Sequence, residues 1–297
     1  MIRPLTSILA LTLILSGSGL AQKKKAQPFK WVNAPSKELP PGATHGSFQS
    51  PSMKQKVGYV IYLPPSYSTD SQLHFPVVYH LHGGRPGSEL KSVNLARYVD
   101  KAIKVKTIKP TIYVFPNGGP MSWYNYPQIE NGSGEDVFVN ELIPHIDKTY
   151  RTIAARHGRA IEGFSQGGRG TTRIMLKYPE LFCSAAPGGS GYEPEQRIRD
   201  NNGAESEHVR FAPGYNTWDL AKQFSQRSEK PKLPILLWVG TKGFNYEFNL
   251  KFSTYLKELK IPHSMLITEG AKHSASEIYQ NRGDELMKFH QQNFTLK

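Results

Sequence analysis

Apolar residues along the chain fall into short runs, and these alternate with stretches spaced for helices. Residues 57–63, 75–81, 111–115, 159–163, 182–186, 234–239 and 264–268 are largely apolar and bounded by Gly, Pro or polar clusters, which predicts strands. Pro64-Pro65 closes the first of them. Residues 93–104, 135–150, 167–178, 218–224, 247–259 and 274–289 repeat near the helical period instead. The clearest is 135–150, where Val137, Phe138, Leu142, Ile146 and Tyr150 recur on one face. Pro179 ends the helix at 167–178.

Strands that are apolar on both faces must be covered on both. The pattern therefore predicts an α/β fold with a mostly parallel central sheet and helices on both faces. Two stretches lack clear periodicity. Residues 22–56 read as an irregular lead-in, ending at most in an edge strand. Residues 188–213, rich in Gly, Glu and Asn, read as a long surface loop near the site, with a disordered insertion as the alternative.

Length and composition narrow this picture. A chain of 297 residues accommodates one large domain, expected over 57–297, and its 38% hydrophobic and 21% charged content excludes a disordered chain. The first 21 residues combine Arg3, an apolar run at 8–15 and the small residues of Gly19-Leu20-Ala21. This predicts a signal peptide cleaved after Ala21 and a secreted or periplasmic protein, with an uncleaved anchor as the alternative. The apolar run is too short to favour a stable membrane span. Cys183 is the one cysteine, so no intramolecular disulfide forms, and it reads as a small buried strand residue. The net charge of +13 is scattered apart from Lys23-Lys24-Lys25, without the interleaved aromatics of a nucleic-acid binder. It reads as solubility and a basic N-terminus.

The candidate chemistry centres on Gly163-Phe164-Ser165-Gln166-Gly167, between a predicted strand and a predicted helix. A sharp turn there lifts the Ser165 hydroxyl above the sheet, and the glycines remove side chains that would clash. The Gln166 backbone N–H then faces a developing oxyanion. His80-Leu81-His82-Gly83-Gly84 follows the strand at 75–81 and supplies a second N–H near Gly83. No third metal ligand stands at a convincing spacing, so His80 and His82 read as core or hydrogen-bonding histidines, with no metal and no cofactor expected. The general base comes last in such chains, and His273 follows the final predicted strand. Trp123 and Tyr124 follow the strand at 111–115 and are candidates for stacking on a sugar or an aromatic acyl group. Tyr192, Tyr215 and Trp218 could join them, and packing under a loop is the competing reading.

Together these residues resemble the esterase family of α/β hydrolases that includes esterase D, enterochelin esterases, mycolyltransferase antigens, and the feruloyl and acetylxylan esterases of carbohydrate esterase family 1. The resemblance rests on His82-Gly83-Gly84, Gly134-Glu135-Asp136, the run from Glu141 to Arg151, Gly163 to Gly168, and Gly270 to His273. It implies an α/β-hydrolase fold and metal-free Ser–acid–His hydrolysis of esters, with secreted enzymes acting on plant polysaccharide nearest in kind. One position departs. Where the family reads Gly-Thr-Lys-Asp, this chain reads Gly240-Thr241-Lys242-Gly243, so the expected carboxylate is missing. Glu247, four residues on, is the nearest substitute, and Glu193 or Glu195 is a second possibility. Otherwise the site works as a weakened Ser–His dyad or has lost activity, which would leave a carbohydrate-binding protein. An acyltransferase is a further alternative.

Overall fold

The computed structural model describes residues 29–121, 123–126, 132–200, 211–229 and 231–295. The proposed signal peptide lies outside the described residues. Eight strands form one sheet: β1 (Ala43–Ser50), β2 (Gln55–Tyr62), β3 (Val77–Leu81), β4 (Ile112–Pro116), β5 (Arg159–Phe164), β6 (Ser184–Gly188), β7 (Leu236–Lys242) and β8 (Ser264–Lys272). Their order is β1-β2-β4-β3-β5-β6-β7-β8. β2 runs antiparallel to β1 and to β4, and every other pairing is parallel. β1 therefore lies within the stretch read as a lead-in, at the sheet edge. That stretch is also tied down upstream, because Trp31 is buried and its carbonyl accepts from Gly58 N–H at 2.7 Å.

The helices are α1 (Ser66–Thr69), α2 (Ala96–Lys104), α3 (Gly134–Asp136), α4 (Ile143–Thr149), α5 (Gln166–Lys177), α6 (Tyr192–Asp200), α7 (Thr217–Ser225), α8 (Tyr246–Glu258) and α9 (Ala275–Asn293). The single helix expected over 135–150 is α3 and α4 joined through a π-helical stretch, Val137–Leu142. The 3.6-residue reading holds for the buried face but not for the hydrogen bonding.

The central strands send alternate side chains to opposite faces. Val77, Tyr79 and Leu81 of β3 join a core with Phe138, Ile174, Met175, Trp218 and Phe252 from the α3–α4 segment, α5, α7 and α8. Val78 of the same strand joins a second core with Val99, Ile278 and Met287 from α2 and α9. β3, β5 and β6 are buried throughout, as both-face coverage requires. β8, at the far edge, alternates buried and exposed.

One expectation fails. Part of the stretch read as a loop is α6, which buries Tyr192, Glu195 and Ile198. These stand three residues apart on one face, but two of them carry polar atoms, so a hydrophobic pattern search passes over the helix. Residues 201–210 lie outside the described residues.

Candidate active site

β5 leads directly into α5 through Ser165, whose backbone sits at φ 60°, ψ −115°. A non-glycine residue there costs about 1–3 kcal/mol and persists only where its surroundings hold it. Two bonds pin the turn: Ser165 N–H donates to Gly188 O at 2.9 Å, and Arg169 N–H donates to Ser165 O at 3.1 Å. The flanking glycines are steric requirements. A Cβ on Gly167 would stand 1.9 Å from Leu81 O, and one on Gly163 would stand 2.5 Å from Gly167 O. Gln166 is the first residue of α5, so its N–H is one of the unpaired donors at a helix N-terminus, where negative charge is favoured.

The loop after β3 is fixed by a histidine. Buried His82 donates through Nδ1 to Gly83 O at 3.0 Å, while its Nε2 accepts from Gly118 N–H at 3.1 Å and Ser88 N–H at 3.3 Å. Burial pushes its pKa down to about 3, so the ring is neutral and serves as a brace for Gly83. Gly83 itself lies against Ser165: a Cβ there would be 3.7 Å from Ser165 Oγ. His80 is also structural. Its Nδ1 pairs with Glu162 at 2.6 Å, and the other oxygen of Glu162 meets His290 at 3.3 Å.

Ser165 and His273 line one cavity of about 390 Å³, with Gly83, Lys91 and Leu95 in the same wall. No hydrogen bond joins the serine to the ring, and such contacts are commonly long before substrate binds. His273 follows β8 immediately, so strand rather than free loop delivers it. Ser274 then caps α9 by accepting from Glu277 N–H at 3.2 Å, and Glu277 reaches back to Lys272 N–H at 3.1 Å. These reciprocal bonds hold His273 from both sides. Its ring packs between Phe164, at 4.7 Å, and Phe244, at 4.1 Å between centroids. Burial lowers the His273 pKa below the usual 6.5.

The group facing His273 Nδ1 is Asn245, whose Oδ1 lies 3.2 Å away. Sequence reasoning missed it, because an amide is not among the residue types sought for an acid. Its signal was position: it stands two residues past the vacant family site at Gly243.

The carboxylate candidates lie elsewhere. Glu247 is exposed and lines a separate cleft with Arg199, Trp218 and Tyr255, because the first turn of α8 points it away from the cavity. Glu195 is buried and accepts from Tyr124 OH and from Thr217 N–H at 2.6 Å, with Arg169 at 3.7 Å. Glu193 pairs with Arg197 along α6.

The aromatic candidates also move. Trp123 and Tyr124 are buried at 0% and 1% exposure. Trp123 donates through Nε1 to His82 O at 3.1 Å, and Tyr124 stacks under the Arg173 guanidinium. Neither presents a ring to the cavity. Tyr192 stacks on Phe252 and Trp218 packs against the same ring, while Tyr215 lies against Lys177. The exposed aromatic at the site is Phe244, 80% accessible. A larger cavity of about 490 Å³ lies at the opposite ends of β7 and β8, lined by residues such as Leu233, Ile235, Ile261 and Phe289. Ser165 and His273 are not among its lining residues.

Comparisons with known proteins bear on the family and the fold. A family model described as "Putative esterase" matches residues 50–257. The chain belongs to that esterase family. Its fold is the α/β-hydrolase fold. Over 142 residues it is 32% identical to "Esterase Rv1288" of Mycobacterium tuberculosis, covering 47% of this chain and 30% of that one. Over 149 residues it is 33% identical to an "Endo-1,4-beta-xylanase/feruloyl esterase" of Xylanibacter ruminicola, covering 47% of this chain and 20% of that one. The chain thus matches less than a third of the length of each of these relatives. Among solved structures, a "ferulic acid esterase" superimposes with a TM-score of 0.70 at 20% identity, covering 85% of this esterase and 98% of that chain. Among the described residues no helix is long and apolar enough to cross a membrane.

Proposed function

We propose that this esterase is exported and hydrolyses carboxylic esters of plant-type polysaccharides, feruloyl or acetyl, through an acyl-enzyme on Ser165. The observation that carries the reading is the shared cavity. A serine on a strained strand-to-helix turn and a histidine engaged at Nδ1 by an acceptor face the same space.

In the mechanism, His273 Nε2 takes the Ser165 proton as Oγ bonds to the ester carbonyl carbon. The carbonyl oxygen becomes an oxyanion, held by the Gln166 N–H and a backbone N–H at Gly83. Collapse breaks the ester C–O bond, and the alcohol leaves with the proton from His273. Water then repeats the sequence, giving up a proton to His273 and returning Ser165. The feruloyl assignment draws on the name of the Xylanibacter relative and on the exposed Phe244 ring beside His273. Export draws on the apolar run at 8–15 before Ala21.

The test compares the native protein with Ser165→Ala on an aryl acetate and on a methyl ester of ferulic acid. Both should be hydrolysed by the native chain, and Ser165→Ala should lose at least about 1,000-fold in kcat/KM. Retained turnover in Ser165→Ala would exclude the acyl-enzyme. Hydrolysis of the acetate alone would exclude the feruloyl substrate.

A further inference from the structure

We infer that Asn245 is the residue that positions His273, so that this esterase works with an uncharged amide where its family places a carboxylate. The inference rests on the reading of Ser165 and His273 as nucleophile and base.

The tautomer follows from the surrounding bonds. Asn245 is buried at 3% exposure, and its Nδ2 donates to the Gly189 carbonyl. A carbonyl oxygen only accepts, so the NH₂ end of the amide must lie on that side. Oδ1 is then the end that meets His273 Nδ1, at 3.2 Å. An oxygen there requires the proton to sit on Nδ1, which leaves the Nε2 lone pair free to act as base. The Gly189 carbonyl is itself fixed, because Gly189 N–H donates to Trp238 O at 2.7 Å. Asn249 completes the frame. It donates to Asn245 O at 2.8 Å and to Ser190 O at 2.9 Å, and accepts from Ser190 N–H at 3.1 Å. Two loops, after β6 and β7, thus share one amide network that sets the ring.

This arrangement separates two duties that a carboxylate performs together. Exchanging a triad Asp for Asn elsewhere costs about 10⁴ in kcat because the wrong tautomer forms. Here the Gly189 carbonyl excludes that tautomer, so orientation is kept. What is lost is charge: a neutral hydrogen bond is about half as strong as a charge-assisted one and stabilises the imidazolium less. Desolvation alone shifts His273, and its shift has no carboxylate contribution. The charged side chain in the cavity lining is Lys91, whose ammonium donates to Pro86 O at 2.5 Å.

Three variants test this, each read by kcat and KM against pH on an aryl acetate. Asn245→Leu keeps the branching but removes the acceptor and the donor; kcat should fall about 100-fold or more, with KM nearly unchanged. Gly243→Asp restores the family carboxylate. Its backbone is not left-handed; a Cβ there would stand 3.1 Å from Gly240 O, a tight contact that asks for a small shift, 3.5 Å from Asn245 Oδ1 and 3.8 Å from His273 Cα. It should move the acid limb of kcat upward by about one pH unit, because an adjacent anion favours the imidazolium. The double variant should recover activity relative to Asn245→Leu, which a merely structural Asn245 would not allow. Should Asn245→Leu fail to fold, Gly243→Asp alone still decides through its pH profile. Native kcat in a folded Asn245→Leu, or an unmoved acid limb in Gly243→Asp, overturns the inference. Neither result touches the nucleophile, which Ser165→Ala tests separately.

Discussion

Ser165 holds a left-handed backbone that glycine would occupy at little cost. The strain of about 1–3 kcal/mol comes from its Cβ rather than its hydroxyl. Two variants that both abolish hydrolysis should therefore differ in stability. Ser165→Gly is expected to raise the unfolding free energy by about 1 kcal/mol over Ser165→Ala, which keeps the Cβ. Urea denaturation of the pair checks this, and equal midpoints would mean the turn is not strained. The same residue shows what was legible beforehand. The turn at Ser165, the glycine loop at Gly83 and the place of His273 after the last strand could be read from spacing, because each depends on backbone geometry that the residue type dictates. The partner of His273 could not. Glu247 lies nearby in sequence, but the start of α8 turns it outward and brings Asn245 inward. Trp123 and Tyr124 misled in the opposite sense, because an aromatic on a loop looks the same in sequence whether it faces a ligand or props the loop.

At the level of elements, the centre of the sheet is held by a buried polar cluster around one carboxylate. Glu162 on β5 takes His80 of β3 at 2.6 Å and the Tyr279 hydroxyl of α9 on one oxygen, and His290 of α9 at 3.3 Å on the other. Burial opposes its charge, yet the bonds to His290 and His80 prevail and bring its pKa down to about 2. Removing the carboxylate leaves the buried His80 and Tyr279 side chains without their acceptor, so Glu162→Ala should cost about 3–5 kcal/mol, read by urea denaturation. A loss below 1 kcal/mol would mean that the cluster contributes little. The helices and strands were legible because their hydrophobic periods are strong. α6 was not, because its inward face carries Tyr192 and Glu195, whose burial depends on Thr172, Tyr124 and Thr217 from distant parts of the chain.

For the molecule as a whole, two fully buried groups lower stability in acid. His82 has a folded pKa depressed from 6.5 to about 3, so the unfolded chain binds the extra proton first as pH falls. Its contribution is fully present above pH 6.5 and declines as pH drops toward about 3. Glu162 is depressed from 4.5 to about 2 and works in the same direction, with its contribution present above 4.5 and lost through about 2. The melting temperature should therefore be flat near neutrality and fall progressively below pH 6.5, more steeply below 4.5. Thermal melts across pH 3–8 on the native chain and on His82→Gln check this, and an unchanged slope between pH 6.5 and 4.5 in His82→Gln would remove His82 from the account.

The sheet order carries a further consequence. Ser165 ends β5, which has a strand on either side, whereas His273 ends β8, which pairs only with β7 at the rim. Edge strands open before central ones. Ser165 and His273 therefore sit on ground of unequal firmness, and hydrolysis that needs both would fall silent while most of the fold is still standing.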